Sequence, residues 1–270
     1  MRAAVLGSPI EHSKSPVLHR AAYRALGLDE WTYDRIECTA EQLPGLVDGF
    51  GPDWVGVSVT MPGKVAALTY ASERTERAVL AGSANTLLRT ASGWRADCTD
   101  VGGGGGGLRG AGIDDLTGAA VTVVGAGGTS RPAIVALATL GAASVTVVAR
   151  SADRATATLE CAVAAGLRAD FAQFSDPGLA DVAAASAVLV STVPAAGVAP
   201  FAAALGRAPV VLDAIYDPWP TALAAAVDDA GGTVISGLSM LLNQAYGQVE
   251  QFTGMPAPRS AMREALGVVL

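Results

Sequence analysis

The stretch from residue 119 to residue 130 constrains the fold more than any other part of the chain. Val121-Thr-Val-Val124 is a short, uncharged, β-branched run that passes directly into Gly125-Ala-Gly-Gly-Thr-Ser130 and then into an apolar helical segment. Glycines at such a corner permit a tight turn and a close approach of ligand to backbone, while the first N–H groups of the helix attract an anion. Regular alternation follows: strand 119–124, helix 131–140, strand 144–149, helix 152–165, strand 186–192, strand 209–215, helix 221–230 and strand 233–235. That pattern predicts an α/β fold with a doubly wound parallel sheet, a Rossmann domain whose first turn takes a dinucleotide pyrophosphate. Gly125 and Gly127 match the first two glycines of the GxGxxG pattern, and Ser130 stands where the third is usual.

The end of the second strand selects the dinucleotide. An acidic residue there would accept hydrogen bonds from the ribose 2′-hydroxyl of NAD, but strand 144–149 ends in Arg150, with Arg154 one helical turn further on. Two guanidinium groups suit a 2′-phosphate, so the expected cofactor is NADP(H). The plainer alternative is a pair of solvated arginines.

The 270 residues, 51% of them apolar, allow two cores of ordinary domain size. With a net charge of −7 there is no basic face for nucleic acid, and runs such as 119–124 and 186–193 are too short to span a membrane. The N-terminus has no signal-peptide profile, and Cys38, Cys98 and Cys161 are scattered without CxxC spacing. A soluble cytoplasmic protein with neither disulfide nor metal is expected. A homodimer is compatible with the sequence, which leaves monomer and dimer open.

Ahead of the Rossmann domain, residues 1–6 read as a buried strand. Ser15-Pro16 opens a helix, with Ser15 as its cap, that ends at Gly27. Strand 54–60 turns at Met61-Pro62-Gly63 into another helix, and 85–89 with 94–96 form a hairpin around 91–93. Six consecutive glycines, Gly102 to Gly107, then remove several kcal/mol of helix propensity at about 0.5–1 kcal/mol each, which favours a flexible linker or hinge over a close approach to ligand. The expected division is 1–101 for an N-terminal α/β substrate-binding domain, 102–236 for the Rossmann domain, and 237–270 for C-terminal helices returning to the first.

Only two of the 18 basic residues are lysines, Lys14 and Lys64, so where lysine persists its own chemistry is suspected. Reduction of a carbonyl by hydride needs a group that passes a proton to the oxygen and a second that positions it. Lys64 and Asp100 each close a strand-like segment leading into a turn, the edge at which open α/β sheets place ligands, and they are the candidates for that pair.

Gly7-Ser-Pro-Ile-Glu-His-Ser-Lys-Ser-Pro16, Val57-Ser-Val-Thr-Met-Pro-Gly-Lys64, Gly82-Ser-Ala-Asn-Thr86 and Thr99-Asp100 resemble, in order, successive motifs of the shikimate dehydrogenases. The resemblance continues through Gly125–Ser130, Asp213-Ala-Ile-Tyr-Asp-Pro218 and Gly237-Leu-Ser-Met-Leu-Leu-Asn-Gln244. It implies NADPH-dependent, reversible reduction of 3-dehydroshikimate to shikimate, a step toward chorismate and the aromatic amino acids, with Lys64 and Asp100 as the catalytic pair. It also implies that Ser13 and Ser15 hold the substrate carboxylate, that Thr60, Asn85 and Gln244 hold carboxylate or ring hydroxyls, and that Tyr216 touches substrate. Gly127, Gly128, Thr129, Arg150 and Arg154 would meet the cofactor phosphates, Ile215 would pack near the nicotinamide, and Gly237 would offer it a carbonyl.

Three departures accompany the resemblance: Cys98 and Ala149 each stand where asparagine is usual, and the glycine run replaces a more ordinary helix. Cys98 reads as a small filler beside Asp100 rather than a nucleophile. Two rivals stay in view. One is a shikimate/quinate dehydrogenase with relaxed cofactor use, which an acid in place of Arg150 would favour. The other is a non-catalytic sensor on the same fold, which could dispense with Lys64 or Asp100.

Overall fold

The computed structural model describes residues 1–267; the final three positions of the expected C-terminal helices, 268–270, lie outside them. The chain forms two units, one made of Met1–Gly103 and the chain from Leu241 onward, the other of Gly104–Met240. Both divisions fall inside helices, Thr99–Gly110 and Gly237–Thr253, a few residues beyond the positions expected from the sequence.

The first unit carries strands β1 (Arg2–Gly7), β2 (Thr32–Glu37), β3 (Trp54–Val59), β4 (Glu73–Arg74), β5 (Thr86–Thr90) and β6 (Gly93–Asp97) in the order β2-β1-β3-β5-β6-β4. β1 runs parallel to β2 and β3, while β5 is antiparallel to both β3 and β6. Thr86 consequently pairs with Ser58 on one side and Asp97 on the other. The carboxyl ends of β1, β3 and β6 and the start of β5 thus share one edge of the sheet. Leu18 and Ala22 of helix Ser15–Ala25 pack with Leu242, Ala245 and Val249 of helix Gly237–Thr253 and with Met262 of helix Arg259–Ala265. That apolar cluster holds the C-terminal helices within the unit.

The helix expected to be capped by Ser15 instead has Lys14 at its N-cap, and Ser15 is its first helical residue and is buried. Ser13 accepts the main-chain N–H of Ser15 on its hydroxyl at 3.4 Å, so the turn is closed from two residues earlier than expected.

The glycine run also departs from expectation, because Gly102 to Gly107 lie inside the continuous helix Thr99–Gly110 rather than in a flexible linker. Packing outweighs the propensity deficit. An added Cβ at Gly104 would lie 3.3 Å from Ala136 Cβ, and one at Gly107 would lie 3.4 Å from Leu212 Cδ1. Absent side chains therefore let this helix lie close to its neighbours.

In the second unit β7 (Ala120–Val124), β8 (Ser144–Ala149), β9 (Arg168–Gln173), β10 (Val188–Ser191), β11 (Val210–Asp213) and β12 (Thr233–Ser236) form a parallel sheet in the order β12-β11-β10-β7-β8-β9. The order reverses between β7 and β10, the position at which doubly wound sheets open a crevice beyond their carboxyl ends. Among the described residues no helix is long and apolar enough to cross a membrane.

His19 is fully buried in the first unit, stacked on Tyr33 with ring centroids 3.9 Å apart. Its Nδ1 donates to the Ser15 carbonyl at 2.9 Å, and Nε2 has no partner among the described residues. Burial pushes its pKa down from 6.5 to about 4, the Ser15 contact opposing this more weakly. Between those values the unfolded chain binds a proton that the folded chain refuses, so stability falls as pH drops from 6.5 toward 4. The full shift corresponds to about 3 kcal/mol at most. His19→Phe should flatten the loss of thermal stability between about pH 7 and pH 5, and an unchanged pH dependence would contradict the buried neutral imidazole.

Candidate active site

The sheet edge of the first unit gathers most of the residues singled out in the sequence. β3 ends at Val59, Thr60 follows, and the turn through Gly63 leads into helix Lys64–Tyr70 with Lys64 as its first residue. β6 ends at Asp97, and Thr99 and Asp100 open the next helix, where a carboxylate is favoured by the helix dipole. Lys64 Nζ donates to Asp100 Oδ2 at 2.5 Å, both side chains being buried. Removing either partner would leave the other as a desolvated charge, so the two are maintained as a unit.

Asn85, just before β5, reaches the second carboxylate oxygen: its Nδ2 donates to Asp100 Oδ1 at 2.9 Å and also faces Thr99 Oγ1 at 2.9 Å and Gln244 Oε1 at 3.1 Å. The Thr99 main-chain N–H donates to Asn85 Oδ1 at 2.7 Å, which fixes the orientation of the amide. Gln244 donates from Nε2 to the Leu241 carbonyl at 2.9 Å, so both ends of its side chain are engaged within the unit. Lys64, Asn85, Asp100 and Gln244 thus form one hydrogen-bonded cluster.

Ser13 and Ser15 follow β1, and Thr60 follows the neighbouring parallel strand β3, so all three lie beyond the same carboxyl edge. Two guanidinium N–H groups of Arg35 donate to the Ser13 carbonyl, from Nε at 2.9 Å and Nη2 at 2.6 Å. Arg35 thereby anchors the Ser13 turn to β2, a role with no sequence signal because charged residues interrupt the apolar pattern of that strand. Cys98 is buried beside the pair, and burial, with the Asp100 charge next, pushes its thiol up to about 12. It is therefore a neutral filler, as its place in the sequence suggested.

In the second unit Gly125 follows the last residue of β7 with φ +113°, a conformation that side chains resist, and an added Cβ would lie 2.4 Å from Thr192 Oγ1. Gly127 has open space where a side chain would stand, so nothing there blocks the approach of a bulky anion. Ser130 occupies the third glycine position and is buried. Its Oγ accepts the Gly127 N–H at 3.1 Å and contacts Thr192 Oγ1 at 2.7 Å, while Thr192 donates to the Val124 carbonyl at 3.0 Å. The Thr192 proton being committed there, Ser130 donates to Thr192 and ties the glycine loop to the end of β10. Thr129 is the N-cap of helix Ser130–Thr139 and makes no side-chain cap.

Arg150 follows the last residue of β8 and Arg154 lies in the first turn of helix Ala152–Ala164; both are exposed. Asp213 ends β11, accepts the Thr221 hydroxyl at 2.7 Å and the Ile215 N–H at 3.2 Å, and so shapes the segment carrying Ile215 and Tyr216. Burial raises the pKa of both Asp213 and the Tyr216 phenol. A Cβ on Gly237 would lie 2.2 Å from the Ala214 carbonyl oxygen, so glycine is required for the backbone to pass that segment. Tyr216 belongs to a different unit from the other expected substrate residues.

A parallel sheet with a strand, a glycine turn and an open helix N-terminus at its reversal point defines the dinucleotide-binding α/β class, here joined to a unit with a buried lysine–aspartate pair. Comparison with known proteins narrows the class. The family described as "Shikimate dehydrogenase substrate binding domain" matches residues 5–87, and "Shikimate 5'-dehydrogenase C-terminal domain" matches residues 237–266. A shikimate dehydrogenase (NADP(+)) of Microcystis aeruginosa is 33% identical, the alignment covering 97% of this chain and 94% of the relative. Shikimate dehydrogenase of Mycobacterium tuberculosis is 59% identical with a TM-score of 0.93, covering 99% of each chain. Shikimate 5-dehydrogenase of Thermus thermophilus, solved with NADP(H) and shikimate, is 31% identical with a TM-score of 0.82, covering 98% of each. The chain belongs to the shikimate dehydrogenase family.

Gly125→Ala should destabilise the protein by about 1–3 kcal/mol in urea unfolding, through backbone strain and the clash with Thr192. Unchanged stability would mean that the loop relaxes freely and is not built to a fixed shape.

Proposed function

We propose that this protein catalyses the reversible, NADP-dependent interconversion of 3-dehydroshikimate and shikimate, on the route to chorismate and the aromatic amino acids. The observation that carries the reading is the 2.5 Å contact between Lys64 Nζ and Asp100 Oδ2, buried at the sheet edge where ligands of α/β units sit. Membership of the family, and relatives named for NADP(+), support both the reaction and the cofactor.

The second unit fits a dinucleotide: Gly127 leaves space for a pyrophosphate to approach, with Gly125, Gly128 and Thr129 completing the turn at the helix N-terminus. Arg150 and Arg154 would meet the 2′-phosphate, Ile215 and Gly237 the nicotinamide. When bound, the cofactor supplies or accepts the hydride. Lys64 passes a proton from Nζ to the substrate oxygen during reduction and recovers it during oxidation, while Asp100 holds that ammonium in place. Ser13 and Ser15 bind the carboxylate, Thr60, Asn85 and Gln244 the carboxylate or hydroxyls, and Tyr216 touches substrate. A cytoplasmic location belongs to the same reading, as does a partner list limited to small molecules, with monomer and homodimer both compatible.

Purified protein should oxidise shikimate with NADP+, and Lys64→Ala should lower kcat by about 10²–10⁴-fold while the KM for shikimate moves little. A raised KM with kcat preserved would recast Lys64 as a binding residue. Ligand binding without turnover in the unaltered protein would favour a sensor. Arg150→Asp should raise the KM for NADPH far more than that for NADH, and equal effects on the two would remove the 2′-phosphate assignment.

A further inference from the structure

We infer that Gln248 is a positioning residue for the Lys64–Asp100 pair, acting through a one-way chain of buried hydrogen bonds that begins at Tyr33 and ends on the Asp100 carboxylate. The inference rests on the reading of that pair as the proton-handling site.

Tyr33 donates its phenolic proton to Ser58 Oγ at 2.6 Å, and Ser58 donates to Gln248 Oε1 at 2.8 Å. Gln248 Nε2 donates to Thr86 Oγ1 at 3.0 Å, Thr86 donates to Asn85 Oδ1 at 3.0 Å, and Asn85 Nδ2 donates to Asp100 Oδ1 at 2.9 Å. Tyr33, Ser58, Gln248, Thr86, Asn85 and Asp100 are all buried.

The direction of the chain is dictated by groups that can act in only one sense. The second Nε2 proton of Gln248 goes to the Asn85 main-chain carbonyl at 3.0 Å, and a carbonyl only accepts, so Oε1 must face Ser58. Ser58 must then donate, which leaves Tyr33 as donor to Ser58. At the other end the Thr99 main-chain N–H, which only donates, fixes Asn85 Oδ1, and hence Nδ2 faces the carboxylate. Thr86 accepts from Gln248 and has its own proton left for Asn85. Each donor thus polarises the next, and in a low-dielectric interior such alignment strengthens the terminal bond.

Gln248 grips Asn85 twice, through its carbonyl directly and through its side chain by way of Thr86. The Asn85 carbonyl also accepts the Val59 N–H at 2.7 Å, so this residue is held between β3 and helix Gly237–Thr253. Asn85 in turn takes up Asp100 Oδ1, which leaves Oδ2 for Lys64 Nζ. Gln248 touches neither Lys64 nor Asp100 in this network; its effect passes through Asn85.

The test compares Gln248→Met, which keeps length and burial but carries no hydrogen-bonding amide, with Thr86→Val, which cuts the next link near-isosterically. In shikimate oxidation both should lower kcat by about tenfold or more, because small misplacements of reacting groups cost up to about 10²-fold. Both should enlarge the solvent deuterium isotope effect on kcat and leave the KM for NADP+ within about twofold. A wild-type kcat and isotope effect in either folded variant, with only the melting temperature lowered, would overturn the inference. If Gln248→Met does not fold, Thr86→Val decides alone. If the unaltered protein does not oxidise shikimate, the functional reading fails. The chain is then judged by hydrogen-exchange protection of the Asn85 side-chain amide, which should be present in the unaltered protein and lost in Thr86→Val.

Discussion

A lysine and an aspartate buried against each other impose conditions on everything around them. Each charge alone would be costly to desolvate, and the pair is tolerable only if the geometry is fixed and the remaining lone pairs are satisfied. Lys64 arrives from the turn after β3 and Asp100 from the turn after β6, so the mixed sheet must bring those two strand ends to one edge. The antiparallel β5 makes this happen, since it pairs with both and starts at that edge with Asn85 just before it. The order of strands, the amide that takes Asp100 Oδ1 and the helix that carries Gln244 and Gln248 all serve the same contact.

The second unit solves a different problem, the accommodation of a ligand against bare backbone. Gly125 turns the chain where a side chain would strike Thr192, Gly127 leaves open space, and Gly237 lets the chain pass within van der Waals range of Ala214. Ser130 shows that the third glycine of the usual pattern is replaceable when its substitute does structural work. Its hydroxyl bonds the loop to Thr192, so the turn is closed by a hydrogen bond across to β10. The glycine run in helix Thr99–Gly110 belongs to another category. It has ordinary helical geometry, and its contribution is close packing against Ala136 and Leu212 rather than conformational freedom.

Much of the fold was legible because core strands announce themselves. β8 occupies the span read from its β-branched run, and the hairpin of β5 and β6 lies where its turn residues put it. β2 and β9 are not legible in the sequence because each lies at a sheet edge, with charged residues interleaved among apolar ones, as in Thr32–Glu37 and Arg168–Gln173. The glycine run suggests a linker in the sequence but forms a helix, because propensity is a local quantity while the contacts to Ala136 and Leu212 are not. At the site, Lys64 stood out through the scarcity of lysine and Asp100 through its position after a strand. Gln248, Arg35 and Thr192 had no such signal, since their partners Ser58, Ser13 and Ser130 are distant in sequence.

If Lys64 and Asp100 act as one unit, their contributions to turnover cannot be independent. The most direct measurement is a double-mutant cycle on kcat for shikimate oxidation with NADP+, using Lys64→Ala, Asp100→Asn and the combination. The double variant should be no slower than the slower single variant, because the second change removes a partner already useless. Losses that multiply would contradict the account, showing that the two side chains act separately despite the 2.5 Å between them.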